Sequence, residues 1–442
     1  MKIQLKNFGV LKEAEIDLSK DLIILTGPNN TGKSYMANLV YGFYRLYDFD
    51  HIYSLNVCVT DKFSEIIDDF NNNSEFKKYY IESDTDIKFY LSKFLNKEIH
   101  HFTDCFDELI KRYIYEFFSS SNSINNPIIK LSHSKEDLLL NKNYTEIKIS
   151  KNSTSIDDLY LEIKEYIIRA LSKVFFDIFN KSIFFPAERS AIHLFSKEII
   201  QQKSLQRHNV ISNKSNIKFL PELNSRDIVL YPLSINDYLY FVNNLEKYAL
   251  IKNAPFRDIA ENIEKQLLGG TFSIGMYNEV KFNPNNSKES LSLQTSSSTV
   301  KSLVGLVFYF KYLAFNNDVI FIDEPELNLH PDNQRLIARI IASAVNRGIK
   351  VIISTHSDYF TREINNLIRL KSNEKKAKKL LAKYNYTKDE LLDFNKVGAY
   401  LFNENTNILL DINETGFEVP TIDGEITDLN NVSEDIYFSL FE

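Results

Sequence analysis

The chain predicts an α/β fold, a mostly parallel sheet covered by helices on both faces, with an antiparallel β subdomain and a large helical insertion. Three observations carry that expectation. Short, wholly apolar runs recur at Leu22–Leu25, Val319–Ile322 and Val351–Ile353, the pattern of strands buried on both faces. Helix-period segments lie between and after them, as from Gln334 to Val345. Small, hydroxyl-bearing or acidic residues stand at the ends of those runs, where strands of such a sheet carry their chemistry.

Taken in order, residues 1–45 read as strand, turn, strand, loop and helix. Ile3, Leu5, Ile16 and Leu18 alternate with polar neighbours, so an antiparallel pair is expected beside the strand Leu22–Thr26. Residues 46–180 change to polar, aromatic-studded stretches such as Phe63–Phe70 and Asp157–Phe179, broken at Asn71–Ser74 and Ser119–Asn126; a helical insertion is expected there. A strand signal returns at Ser182–Pro186. Residues 190–268 read as a continuing helical lobe with breaks at Pro221 and Pro232, and Gly269–Gly270 opens a β segment from Thr271 to Phe282. A helix around Leu303, a strand at Val319–Ile322, the helix Gln334–Val345 and a strand at Val351–Ser354 follow. The tail offers short strands at Ala399–Phe402, Ile408–Leu410 and Phe417–Val419, and a closing helix from Ser433. Residues 1–45 and 180–442 are therefore expected to form one split domain with a C-terminal αβ tail.

Composition bounds the function. Hydrophobic content of 44 % and charged content of 25 % are ordinary for a water-soluble globular chain. A net charge of −7 argues against a dedicated nucleic-acid coat while leaving room for local basic patches. Cys58 and Cys105 lack metal-ligand spacing, which fits a reducing cytosol without a disulfide framework or zinc site. Met1–Phe8 lacks the apolar core of a signal peptide, and Leu303–Phe315 is too short to span a bilayer, so a cytoplasmic protein without a membrane partner is expected. The abundance of Phe, Tyr, Ile, Lys and Asn is the usage of an AT-rich bacterial genome.

The richest segment is Gly27-Pro-Asn29-Asn30-Thr31-Gly32-Lys33-Ser34, a G-x-x-x-x-G-K-[ST] pattern behind an apolar strand. Gly27 and Gly32 let the backbone turn so that successive N–H groups face phosphates, with Asn29, Asn30 and Thr31 forming the loop between them. Lys33 reaches the β- and γ-phosphates, the Ser34 hydroxyl ligates Mg²⁺, and the helix beginning there adds its positive end. Such a loop binds a nucleoside triphosphate. A second strand, Val319–Ile322, ends in Asp323 and Glu324, placing Asp323 to hold the Mg²⁺ shell and Glu324 to polarise a water for in-line attack on the γ-phosphate. A third ends Ser354-Thr-His356, where the histidine can hydrogen-bond the γ-phosphate or the attacking water, or stand uncommitted in a loop. At Thr295–Lys301 a hydroxyl cluster precedes an apolar helix. It caps that helix, or it makes an anion site from Ser297, Ser298 and Lys301 for the γ-phosphate of a second subunit. The lysine run Lys371, Lys375, Lys376, Lys378, Lys379 and Lys383 is either a solvated helix face or a contact for DNA, RNA or an acidic partner.

In this order these motifs resemble the ABC-type P-loop ATPase heads of the RecF, SMC and OLD group, with Asp323-Glu-Pro-Glu-Leu-Asn-Leu-His-Pro331 similar to the stretch after their Walker B strand. Phe184-Phe-Pro-Ala-Glu-Arg-Ser190 is similar to the strand-to-lobe segment of AAA15-like bacterial ATPases, including those of phage-defence systems such as PARIS and Septu. The resemblance covers residues 1–45 and 180–360. It implies ATP and Mg²⁺ as cofactors and self-association through ATP sites. It also implies an ATPase subunit of an antiphage complex that senses infection and controls a separately encoded effector, a nuclease. A RecF-like repair clamp binding DNA as an ATP-dependent dimer is the alternative. Two departures stand out. The usual glycine-rich signature is replaced by Ser296–Ser298, and Glu188 stands where such heads carry a glutamine, with Arg189 beside it. After His356 there is no D-x-D pair of the kind a TOPRIM nuclease uses, so no nuclease activity of the chain's own is expected.

Overall fold

A computed structural model of the chain describes residues 2–46, 181–214, 231–252, 254–275 and 279–441, with strand segments at 87–90, 128–132 and 146–149. The chain opens with β1 (Lys2–Phe8), β2 (Leu11–Asp17), β3 (Leu22–Thr26) and α1 (Lys33–Leu46). β4 (Ile87–Tyr90), β5 (Ile128–Ser132) and β6 (Glu146–Ile149) precede β7 (Ser182–Phe185), α2 (Arg189–Lys214) and α3 (Leu233–Val242). A hairpin of β8 (Gly270–Ile274) and β9 (Val280–Pro284), with β10 (Leu291–Ser292), leads to α4 (Ser298–Phe308). Next come β11 (Val319–Asp323), α5 (Pro331–Asn346), β12 (Lys350–Ser354), α6 (Asp358–Ser372) and α7 (Glu374–Tyr384), and the chain finishes with β13 (Val397–Asn403), β14 (Thr406–Leu409) and α8 (Pro420–Phe441).

One nine-stranded sheet runs in the order β5-β1-β2-β14-β13-β3-β12-β11-β7. Strands β13, β3, β12, β11 and β7 pair in parallel and form its nucleotide half, while β1 pairs antiparallel with both β2 and β5. The expected mostly parallel core sheet with an antiparallel wing is therefore present. Every residue of β3 is buried, as its unbroken apolar run requires of a strand covered on both sides. Alternation then divides the layers. Phe184 stacks on Phe321 at 5.8 Å, and Tyr41 and Tyr44 of α1 meet Phe321 edge-on at 5.4 and 5.9 Å. Phe185, Ile320 and Ile322 instead join the core shared with α3, α4 and α5.

Two expectations need correction. The β1–β2 pair does not lie beside β3, because β14 and β13 from the tail sit between them, with β14 parallel to β2 and β13 parallel to β3. The tail thus completes the sheet instead of following it. The stretches expected to be helical in 46–180 lie outside the described residues, and the three segments described there are strands: β4 pairs with β6, and β5 extends the main sheet on β1. The remainder of 46–180, with Cys58 and Cys105, lies outside the described residues. Phe417–Val419 is irregular, with only an Asn413–Gly416 bridge before it, and the closing helix begins at Pro420, well before Ser433. Asn365 satisfies both backbone groups of Phe417, donating to its carbonyl at 2.7 Å and accepting from its N–H at 2.9 Å, so side-chain bonds replace a strand there.

Candidate functional site

The loop between β3 and α1 owes its shape to backbone that only small residues tolerate. Gly27 and Gly32 have φ of +130° and +102°, and Asn30 is left-handed at +62°. A Cβ on Gly27 would lie 2.1 Å from the Phe402 carbonyl oxygen of β13, so the tail strand forms one wall of the loop. Thr31 Oγ1 donates to Pro28 O at 2.8 Å and braces the turn, while Asn29 and Asn30 face solvent. Lys33 Nζ donates to the carbonyls of Gly27 at 2.9 Å and Pro28 at 2.6 Å, which holds the ammonium across the loop's mouth. Burial pushes this lysine down to about 8, with the charges of Asp323 and Glu324 opposing that shift.

The register Asp323↔Ser354 between β11 and β12, with β3 on the far side of β12, brings three strand ends together. Ser34 Oγ lies 3.4 Å from Asp323 Oδ2, and Ser354 Oγ donates to Asp323 Oδ1. Hydroxyl and carboxylate oxygens on one side of a phosphate loop are the donor set Mg²⁺ favours, so Ser34 and Asp323 fit a magnesium ion held with a nucleotide. Elsewhere among the described residues no cluster of three His, Cys, Asp or Glu side chains offers a metal site.

Glu324 has a left-handed backbone, φ +49°, an uncommon conformation for a side chain of its size. Its N–H donates to Ser354 O at 3.0 Å. Its carbonyl accepts from Arg189 Nη2 at 2.7 Å, and the neighbouring Asp323 carbonyl accepts from Nη1 at 2.7 Å. Arg189 is fully buried, and it also donates to Pro186 O and Ser302 O at 3.1 and 3.0 Å. Burial and the adjacent Asp323 charge raise the Glu324 carboxyl above its usual range, with a smaller push from Glu188, an exposed side chain at the start of α2. Glu326 holds the next loop, its Oε1 accepting from Thr355 Oγ1 and the His356 N–H, each at 2.7 Å. Its Oε2 is buried without a hydrogen-bond partner. The His356 side chain is exposed; partial enclosure and the Lys33 charge keep its imidazole below the ordinary value.

Sequence reasoning named Gly27 to Ser34, Asp323, Glu324 and His356, and the fold brings them together at the carboxyl ends of three neighbouring interior strands, β3, β12 and β11. It missed Ser354 and Glu326 and left Arg189 without a role. Ser354 was discoverable from register alone, since two parallel strands ending level put their last side chains together. Nothing in the residue pattern marked Arg189 as buried, an unusual location for a guanidinium. Ser297 Oγ accepts the Val300 N–H at 3.3 Å, which makes it the cap of α4. Ser297 and Ser298 are exposed, and among the described residues no hydrogen bond or ion pair joins Ser297, Ser298 or Lys301 to the phosphate loop.

The family model described as AAA ATPase domain matches residues 1–361. No curated protein matches the chain. Among solved structures it is similar to an SMC head bound to the C-winged-helix domain of ScpA, with 12 % identity, coverage of 92 % of this chain and 96 % of that one, and a TM-score of 0.35. An SMC head domain with an extended coiled coil, bound to the C-terminal domain of ScpA derived from Pyrococcus furiosus, is 13 % identical, covering 98 % of each chain with a TM-score of 0.33. The SMC head domain from Thermotoga maritima is 10 % identical, covering 93 % of this chain and 98 % of that one, with a TM-score of 0.34. Among the described residues no helix is long and apolar enough to cross a membrane.

Proposed function

The chain belongs to the AAA ATPase domain family and is an ATPase by that membership, and we propose that it serves as the ATP-hydrolysing subunit of a bacterial antiphage complex that senses infection and controls a separately encoded nuclease. The observation that carries the hydrolytic part is the meeting of Ser34 with Asp323 at 3.4 Å, beside Lys33 and Glu324, at the ends of neighbouring strands. Backbone N–H groups from Gly27 to Ser34 and the Lys33 ammonium bind the β- and γ-phosphates. Ser34 and Asp323 hold Mg²⁺, which neutralises charge on those phosphates when bound. Glu324 orients and polarises the attacking water. Its raised pKa makes it a stronger base than an exposed carboxylate. His356, close enough to feel the charges of Lys33 and Asp323, contacts the γ-phosphate or that water.

Ser298 and Lys301 make no hydrogen bond or ion pair to their own loop among the described residues, and they head a helix whose N–H groups attract anions. We assign them to the γ-phosphate held by a second copy. Mixing chains carrying Glu324→Gln with chains carrying Ser298→Arg tests this, since one of the two composite sites is then intact and part of the turnover returns. No recovery at any mixing ratio would place each complete site within one chain. The role in defence rests on the resemblance of Phe184–Ser190 to phage-defence ATPases. Its test incubates the pure protein with Mg²⁺, ATP, and DNA or RNA, alone and with the product of the neighbouring gene. Cleavage is expected only in the mixture. Cleavage by the lone chain that a tail variant abolishes would overturn the reading, and tight ATP-dependent DNA binding without any cleavage would favour a repair clamp.

A further inference from the structure

Helix α8 is a 22-residue helix with no buried residue. Leu429, Val432, Ile436 and Leu440 recur at i, i+3, i+7 and i+11, so one stripe of the helix is apolar, and Tyr437 and Phe441 flank it with rings 5.8 Å apart. Exposure of 66 % for Leu429, 71 % for Leu440 and 75 % for Phe441 is costly in water, and a continuous patch of this kind marks a surface that another protein covers. The rest of the helix is acidic. Asp423, Glu425, Asp428, Glu434 and Asp435 lie on it, with no Lys or Arg between Pro420 and Phe441.

Charge decides what can cover the stripe. Two α8 helices laid together would put carboxylates against carboxylates with no cation on either side, which is unfavourable. The complementary surface belongs to this same chain. Helix α7 presents Lys375, Lys376, Lys378, Lys379 and Lys383, all exposed, and its lone acid, Glu374, already pairs with Lys371. Among the described residues none of Lys375, Lys376, Lys378 and Lys379 makes an ion pair. Between the lysines, Leu380 and Tyr384 are exposed one helical turn apart, at 46 % and 53 %. Within one copy the two helices do not meet through any hydrogen bond or ion pair among the described residues. The start of α8 is tied to the N-terminal half of α6 by Arg362 with Asp423, whereas α7 begins beyond the other end of α6, roughly 18 Å of helix away.

We infer that α8 of one copy docks on α7 of a second copy, apolar stripe against Leu380 and Tyr384 with the acidic and lysine-rich flanks paired. Because each copy carries both surfaces, the contact repeats in a two-fold dimer. The contact needs no nucleotide and is separate from the ATP-closed pairing at Ser298.

The test measures the mass of the full chain in solution, nucleotide-free and in a Lys33→Ala background, so that closure through ATP sites contributes nothing. A dimer is expected that weakens as salt rises. Leu429→Ser with Ile436→Ser should raise its dissociation constant by about tenfold or more, since buried apolar anchors dominate such contacts. Lys376→Glu with Lys383→Glu should give a monomer, as should Asp428→Lys with Asp435→Lys. Mixing those two charge-reversed chains should restore a dimer, because both of its contacts are then complementary. All these positions are exposed, so the variants should fold and keep the melting temperature of the parent. A wild-type chain that stays monomeric without nucleotide at low salt would overturn the inference, as would a dimer indifferent to both charge reversals.

Discussion

Arg189→Ala is expected to cost turnover far more than ATP binding. The guanidinium makes four hydrogen bonds, and the two shortest, 2.7 Å each, go to the carbonyls of Asp323 and Glu324. Bonds from a charged donor contribute about 1.5–3 kcal/mol each, and breaking a buried charged network costs about 3–5 kcal/mol through the groups left unpaired. The melting temperature should therefore fall measurably. The chemical consequence comes from geometry. Glu324 stands on a left-handed residue that its Arg189 and Ser354 contacts hold in place, and releasing one of those contacts lets the carboxylate drift. A displacement of about 1 Å from the attacking position can cost about 100-fold in rate. The phosphate loop is braced independently by Thr31 and β13, so ATP affinity should change little. Arg189→Lys keeps the charge but lacks the planar fork that reaches two carbonyls at once, so it should recover part of the stability and little of the rate. The assay pairs ATP affinity with single-turnover hydrolysis and a melting curve. A folded Arg189→Ala protein with wild-type turnover, or one that loses affinity and rate equally, would refute the reasoning.

Lys33→Ala should abolish ATP binding, whereas Glu324→Gln should retain it and slow hydrolysis. Titration calorimetry beside single-turnover rates separates them, and equal loss of affinity in both would dissolve the division of roles. ATP affinity should also fall as pH rises through about 8, because the buried Lys33 loses its proton there while phosphate binding needs it charged; binding above that pH should take up a proton. A pH-independent affinity between 7 and about 9.5 would contradict the assigned lysine. Gly27→Ala places a methyl 2.1 Å from the Phe402 carbonyl at a φ of +130°, so it should destabilise β13 as well as the loop. Unchanged melting would show that the tail strand yields.

The nucleotide half of the fold was legible because its signals are local. An apolar strand followed by a glycine-lysine loop, or by paired acids, declares itself within a dozen residues of sequence. The long-range parts were not legible. Nothing in Val397–Asn403 says that it pairs with β3, since an apolar run fits any buried slot and register is settled by partners elsewhere in the chain. The same limit hid Arg189: its four acceptors are backbone carbonyls, which every residue supplies and no side-chain pattern records. Ser297 to Lys301 stood between a cap and an anion site in sequence, and the structure supplies the cap without removing the outward-facing hydroxyl of Ser298.

The placement of Arg189 also orders the site. Its Nε holds Ser302 O in α4 while its two amino groups hold the carbonyls of Asp323 and Glu324, so one rigid, fully buried group ties the helix headed by Ser298 to the carboxylate turn. A second tie runs alongside it, from Thr299 Oγ1 to Asn328 O at 2.8 Å, on the loop that leaves Glu324. The turn is fixed from its other side by Ser354 and, through Glu326, by Thr355 and His356. α4 therefore cannot shift at its N-terminus without loading two hydrogen bonds to the backbone of the residues proposed to hold metal and activate water. A surface contact at Ser298 and chemistry at Glu324 are mechanically adjacent in this fold, although Ser298 and Glu324 stand apart in sequence.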